Sequence, residues 1–310
     1  MSVADGSIVR LAYIAEATIN TTPTSPAFQV LRYETSDIRI SKTTDIPNEV
    51  RADGNVASIV DVGRAVTGSI NGLLSYGTYD DLIAAALRST WSTDVLVNGV
   101  THKTFAFEEF YEQGATDTFI RYNGVRINTW DLEMTARQSV KSNFGIMGIK
   151  SPTPTSTILS GATYTAATTT EVLNAGLNVS ALALTGISNS PKIQKMTMRF
   201  NSNIYQNDIV GAYEPYSHGL GRAEVTGTIS AYFENVDTYN AILNHTTVAI
   251  GWTLADAAGN SYAFSIPQAK LLDGGPSKPG NGKAVMVEVP YQAQFDSGIG
   301  ASIQITRDPA

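Results

Sequence analysis

The 310-residue sequence has no cysteine. Disulfides, thiolate metal sites and cysteine nucleophiles are thereby excluded. Charge is scarce as well, at 16% of residues, which is low for a monomer that must solvate its whole surface. Such a figure fits a surface largely covered by copies of itself, or one coated with Thr, Ser and Asn. What charge there is sums to −7, with a pI near 5.0, which argues against a surface built to hold phosphates. No run approaches the roughly 20 apolar residues that cross a bilayer, so no membrane partner is expected. The opening MSVADGSIVRLAYIAEA puts an acid before any base and has no sustained apolar run, so no signal peptide is expected. These absences read as a soluble protein kept in a cytoplasm unless lysis releases it.

Chemistry is equally thin. His102, His218 and His245 are far apart in sequence, without metal-ligand spacing, and read as surface or turn residues. The stretch 274–283, GGPSKPGNGK, looks like a phosphate loop but has Ser277 where the first glycine belongs and Ala284 after the lysine. It reads as a hairpin loop. Residues 72–77 are not a nucleophile elbow, which would need glycine at position 73. The paired acids Asp80-Asp81 and Glu108-Glu109 read as solvated structural groups on a helix turn and a strand end. No enzyme, no metal and no cofactor is expected.

What is present is a repeat. Residues 63–87 read GRAVTGSINGLLSYGTYDDLIAAAL, and residues 221–243 answer with GRAEVTGTISAYFENVDTYNAIL. Gly63, Arg64, Val66, Thr67 and Gly68 return as Gly221, Arg222, Val225, Thr226 and Gly227, with Gly68 and Gly227 separated by 159 positions. Tyr79 returns as Tyr239, and Ile38-Arg39-Ile40 as Met198-Arg199-Phe200, both at 160. Matches in one order at nearly one offset mean two copies of a module of about 150 residues. The expected division is an arm at 1–28, module 1 at 29–150, a Ser/Thr/Ala-rich linker at 151–191 and module 2 at 192–310.

Within module 1, residues 28–33 and 37–40 alternate as strands. An excursion at 42–62 interrupts them, and such a long loop is usually functional or ordered by a partner. The strand 65–75 follows, with Gly68 and Gly72 on its apolar face, where glycine signals close approach of another backbone. Thr78 is a candidate cap for a short helix with Asp80 and Asp81 in its first turn. Strands at 104–109 and 124–137 complete the copy, Trp130, Leu132 and Met134 facing one way. Module 2 repeats the plan with a strand at 195–201, an excursion at 202–220, a strand at 223–233 and a helix at 238–243 capped by Asp237. Strands at 262–266 and 283–294 close it. The linker holds a short alternation at 179–184 that could add a strand.

The Gly-Arg-x-Val-Thr-Gly strand followed by a Thr-Tyr-x-x-Leu/Ile helix resembles the major tail tube protein of long non-contractile-tailed bacteriophages. The segments LAYIAEA at 11–17, SYGTYDDL at 75–82 and YAFSIP at 262–267 fit the same family, which is related to contractile-tail and type VI secretion tubes. The resemblance implies a mainly β fold: two tandem tail-tube-type β-sandwich or barrel modules, each with one short flanking helix, assembling into a closed β-cylinder. It implies stacked rings forming a conduit for double-stranded DNA, in a virion tail assembled in the host cytoplasm, with tape measure and tail-end proteins as partners. Two modules per chain give a trimeric, pseudo-six-fold ring, with a homohexamer as the alternative. Four inner strands per module would make a barrel radius on the order of 24 Å, wide enough for a duplex. Asp131, Glu133 and Glu288 are the lumen candidates, and the two excursions are assigned to contacts between rings. The competing expectation is a non-polymerising β-sandwich binding or adhesin-like tail component.

Overall fold

Apolar residues alternating with Thr, Ser and Asn give most of the chain the period of two that a half-buried strand requires. The computed structural model describes residues 3–114 and 116–310; the first two residues of the expected arm lie outside that range. The first half forms β1 (Arg10–Ala15), β2 (Ala27–Val30), β3 (Thr35–Ser36), β4 (Arg39–Asp45), β5 (Val60–Leu73), α1 (Asp80–Ala86), β6 (Val95–Val97), β7 (Phe105–Tyr111), β8 (Thr118–Thr135) and β9 (Lys141–Gly148). The second half forms β10 (Thr163–Thr165), β11 (Val179–Thr185), β12 (Ile193–Asn201), β13 (Tyr205–Asn207), β14 (Ser217–Gly219), β15 (Glu224–Tyr232), α2 (Asp237–Leu243), β16 (Thr247–Ala255), β17 (Ser261–Leu271), β18 (Gly275–Pro276), β19 (Met286–Ala293) and β20 (Gln304–Asp308). The fold is mainly β with two short helices.

One antiparallel sheet runs through both halves in the order β4, β5, β9, β8, β12, β15, β19. Its centre is the seam between β8 and β12, where Thr129–Thr135 pair with Asn201–Lys195. Outer sheets cover it. In the first half β7, β1, β2 and β10 pair outward from residues 118–125 of β8. In the second half β11, β16, β17, β20 and β6 form the cover, β6 being lent by the first half. Two strands serve both layers. β8 turns from outer to inner sheet at Gly124, whose φ of 64° suits glycine. β17 does so near Pro267, a residue that cannot donate to a ladder.

The core is continuous across the seam. Trp130 and Trp252 are fully buried, and Phe144, Trp130, Phe264 and Trp252 form a chain of ring contacts with centroids 6.3, 6.2 and 4.8 Å apart. The sheets of a single chain stay open, so a closed cylinder is not a property of the monomer. The first inner strand, β4, has one unpaired edge among the described residues, whereas β19 at the other end is continued by β17 and β18.

Several expectations are corrected. The segment 1–28 was expected to be an arm, yet β1 pairs along its whole length with β7 and buries Leu11, Ala12 and Tyr13. Three consecutive buried residues show no alternation, which is why the strand has no visible period. The linker also contributes β10, and its alternation at 179–184 folds as the expected additional strand, β11. Thr78 does not cap α1: its hydroxyl bonds Ser75 and Thr168, and the N-cap is Tyr79. Asp237 is the first residue of α2 rather than its cap.

Candidate assembly interface

The repeated motif occupies matching ladder positions in the inner sheet. Val66 and Val225 point into the core, while Thr67 and Thr226 lie on the opposite face across from Arg39 and Arg199. Gly68 and Gly227 sit where the preceding strand crosses. A Cβ on Gly68 would stand 2.6 Å from Ile38 Cα, and one on Gly227 would collide with the Thr197 carbonyl of β12. Both glycines are therefore close-approach positions.

The remaining motif residues diverge. Arg64, next to Gly63, reaches into the second half: it pairs with Glu214 at 2.8 Å, stacks its guanidinium on Tyr213, and its N–H donates to the Tyr213 carbonyl. Arg222, next to Gly221, has only its near neighbour Glu224 and is largely exposed. Tyr79 is buried, its hydroxyl donating to the Arg32 carbonyl and its ring against Phe144. Tyr239 is partly exposed on α2.

The helices differ in the same sense. Leu82–Leu87 of α1 and its flank are buried, and the second half clamps the helix at both ends. Tyr262 donates to the Asp80 carboxylate and accepts from the Gly77 N–H. Burial, then the Asp80 charge, holds the Tyr262 phenol well above its usual pKa, so it stays protonated as a donor. Arg307 bridges Asp80 at 2.7 Å and Asp94 at 3.1 Å. Ser202 donates to the Ala86 carbonyl at the far end. On α2, Val236, Tyr239 and Leu243 stay exposed, with Leu272 and Phe295 exposed elsewhere in the second half. Asp80 is thus a clamped ion-pair partner rather than a solvated acid.

The three lumen candidates share the outward face of the inner sheet. Asp131 faces Arg199 across the seam, their charges 3.6 Å apart. Glu133 lies 3.2 Å from Lys195 and 3.9 Å from Lys141. Glu288 stands opposite Ser230 on the same face. Partial burial between neighbouring strands raises the Asp131 pKa, with Arg199 opposing the shift.

Sequence reasoning missed two buried polar clusters. Glu108 and Glu109 are buried, not solvated. Glu108 accepts from Arg121 at 2.7 Å and from Tyr164, which ties residues 155–165 to β7 and β8. Glu109 accepts from Tyr111 and Tyr122; burial raises its pKa and those bonds partly offset the shift. His218 is buried rather than on the surface. Little in the local sequence marks these groups, because all their partners but Tyr111 lie 13 or more positions away. Among the described residues no group of three or more His, Asp or Glu side chains is placed to hold a metal. Among the described residues no helix is long and apolar enough to cross a membrane. The phosphate-loop lookalike is the β18–β19 hairpin.

The fold is a two-layered β structure with one inner sheet running through both halves. The family model described as phage tail tube protein matches residues 6–293. The chain belongs to the phage tail tube protein family. No curated protein matches it. Membership makes this tail tube family member a structural component of a virion tail.

Proposed function

We propose that this chain polymerises as trimeric, pseudo-six-fold rings that stack into a tail tube through which double-stranded DNA passes. The observation that carries the reading is the seam, which supplies a template for joining one chain to the next. β12 pairs with β15 on one edge and β8 on the other. Its counterpart β4 pairs with β5 and has no strand on its other edge among the described residues. The counterpart of β8 is β17 continued by β18: Gly275 pairs with Glu288 as Asp131 pairs with Asn143. The β18 edge away from β19 is likewise open.

Copying the seam register brings Gly275 of one chain opposite Arg39 of the next, as Asp131 stands opposite Arg199. Closing such edges leaves no strand exposed to promiscuous pairing. With β17–β18 counted once, each chain offers eight inner strands, and three chains give a barrel of radius on the order of 24 Å. The α2 face would then receive from the next chain the cover that α1 receives within the chain. Stacking falls to the loop beyond β4 and β5, which exposes Ile46, Val50, Val56 and Ile59, and to residues 205–219, which expose Val210 and Tyr216. Assembly in the host cytoplasm and contacts with tape measure and tail-end proteins belong to the same reading.

The absence of native cysteine permits a direct test. The double variant Arg39→Cys with Gly275→Cys is oxidised after assembly and run on a denaturing gel. A Cβ at Gly275 meets no atom within 4 Å, so the site tolerates the change. Disulfide-linked species that stop at three chains are expected. A ladder stopping at six would replace the trimer with a hexamer, and no cross-linking in assembled tubes would overturn the edge pairing.

A further inference from the structure

The loop that mimics a phosphate loop carries Asn281-Gly282, one of four Asn-Gly pairs in the sequence beside Asn71-Gly72, Asn98-Gly99 and Asn123-Gly124. Such a pair is chemically labile where the glycine nitrogen can approach the side-chain carbonyl carbon of the asparagine. Glycine has no Cβ to screen that nitrogen, and its backbone turns freely. Folding decides which of the four pairs can make the approach.

Three are held. Asn71 lies inside β5, paired with Thr35 on one side and Asn143 on the other, and its Nδ2 donates to Thr35 Oγ1 at 3.0 Å. Asn98 accepts through Oδ1 from the N–H groups of Ser302 and Ile303 at 2.8 and 3.1 Å. The Gly99 N–H donates to the Leu87 carbonyl at 2.9 Å. Asn123 is 3% exposed, and its Nδ2 donates to Thr22 Oγ1. The Gly124 N–H donates to the Glu16 carboxylate at 2.9 Å. In the last two pairs the attacking nitrogen is itself engaged. Turning any of these asparagines toward its glycine breaks two or more hydrogen bonds.

Asn281 has different surroundings. It stands at the tip of the β18–β19 hairpin, which is closed by the Ser277 N–H donating to the Met286 carbonyl. Residues 280–285 are all exposed. Among the described residues neither the Asn281 side chain nor the Gly282 N–H has a hydrogen-bond partner. Gly282 has a φ of 79°, and a Cβ there would meet no atom within 4 Å. Exposed loop tips of this kind are where the backbone is least restrained.

We propose that Asn281-Gly282 is a spontaneous modification site of the folded chain, converting to aspartyl and isoaspartyl forms while the other three pairs stay intact. The Gly282 nitrogen, its proton lost to solvent base, attacks Asn281 Cγ. The N–Cγ bond forms, the Cγ–Nδ2 bond breaks, and the amide leaves as ammonia with a proton from water. Water then opens the cyclic imide. Cleavage at Cγ gives aspartate, and cleavage at the main-chain carbonyl gives isoaspartate. Both products place a carboxylate between Lys278 and Lys283. The isoaspartyl form also adds one carbon to the main chain in the hairpin that carries β18.

The test incubates the soluble full chain in mildly alkaline buffer and follows tryptic peptides by mass spectrometry. The four pairs fall in separate fragments, 65–88, 89–103, 122–126 and 271–283, because the Lys278-Pro279 bond resists trypsin. Conversion at Asn281 is expected to run roughly tenfold or more ahead of the other three, the factor set by the hydrogen bonds that each of those must break. In urea all four should convert at similar rates, which shows that folding makes the selection. Gly282→Ala should slow the reaction at Asn281 several-fold, since a Cβ then screens the nitrogen. Conversion at Asn281 no faster than at Asn71, Asn98 or Asn123 in the folded chain would overturn the proposal. So would an undiminished rate in Gly282→Ala. The measurement does not depend on whether tubes form.

Discussion

The seam and the open edges are built from the same repeated sequence, yet they have different surroundings. β12 alternates buried and exposed residues between two neighbours, whereas every residue of β4 is exposed. α1 is buried along its apolar face, and α2 buries only Thr238 and Ala241. Arg64 is held by Glu214 and Tyr213, while Arg222 points away from the body of the chain. The difference is therefore one of partner as well as of sequence. A module shows its finished environment only on the side where the chain supplies the neighbour.

Breaking the closed side should cost most. Trp130 lies at the centre of the seam with Phe144 and Phe264 against it. Trp130→Ala is expected to lower unfolding free energy by about 3–5 kcal/mol, read as a fall in the urea midpoint. A loss under about 1 kcal/mol would mean that the two halves do not share a core. Next comes Glu108→Gln, which leaves the Arg121 guanidinium buried without its carboxylate. A loss of about 3 kcal/mol is expected, with earlier proteolysis in the 151–165 stretch as the local sign.

His218 sharpens the comparison through pH. Its folded pKa, about 4, lies below the ordinary value near 6.5. The unfolded chain therefore takes the proton first as pH falls. The stability associated with the neutral ring is complete above about pH 6.5 and is lost as pH falls toward 4. At pH 5 the expected loss is about 2 kcal/mol relative to pH 7.5. Melting of His218→Gln should depend less on pH over that interval. Equal slopes for the two proteins would remove His218 from the account.

How much of this was legible in the sequence follows from the range of each interaction. The strand 65–75, the helix after Gly77 and the alternation around Trp130 were readable because period and breakers are local signals. The close approach at Gly68 was readable too, since glycine on an apolar strand face has few other uses. β1 was only faintly legible because burial on both faces erases alternation. The burial of Glu108 was hidden because Arg121, Tyr164 and Arg10 meet it only after folding. His218 was misjudged for the same reason: Arg126 lies 92 positions earlier. The seam register was not legible, because the repeat offset says nothing about which strands pair, and the open edges could be recognised only once β8 and β12 were seen to pair.

The smallest stability effect is expected on the outward face of the seam, where it separates structural from assembly roles. Asp131 and Arg199 are 3.6 Å apart and partly solvated. Ion pairs of that kind contribute roughly 0–1 kcal/mol, so Asp131→Asn should shift the unfolding midpoint barely above error. Arg39 is the counterpart of Arg199 on the open edge, with only Asp37 as its ion-pair partner among the described residues. Arg39→Glu should leave the unfolding midpoint of the isolated chain unchanged as well. The two variants should then part company in assembly, followed by light scattering. At the seam, covalent continuity and the shared core hold β8 against β12 whatever the charge at position 131. At the open edge only strand pairing and its flanking side chains hold one chain to the next, and a carboxylate at position 39 would stand near Asp37 on the same face. Asp131→Asn should therefore still polymerise and Arg39→Glu should not. Equal polymerisation by both would show that the β4 edge lies outside the contact between chains.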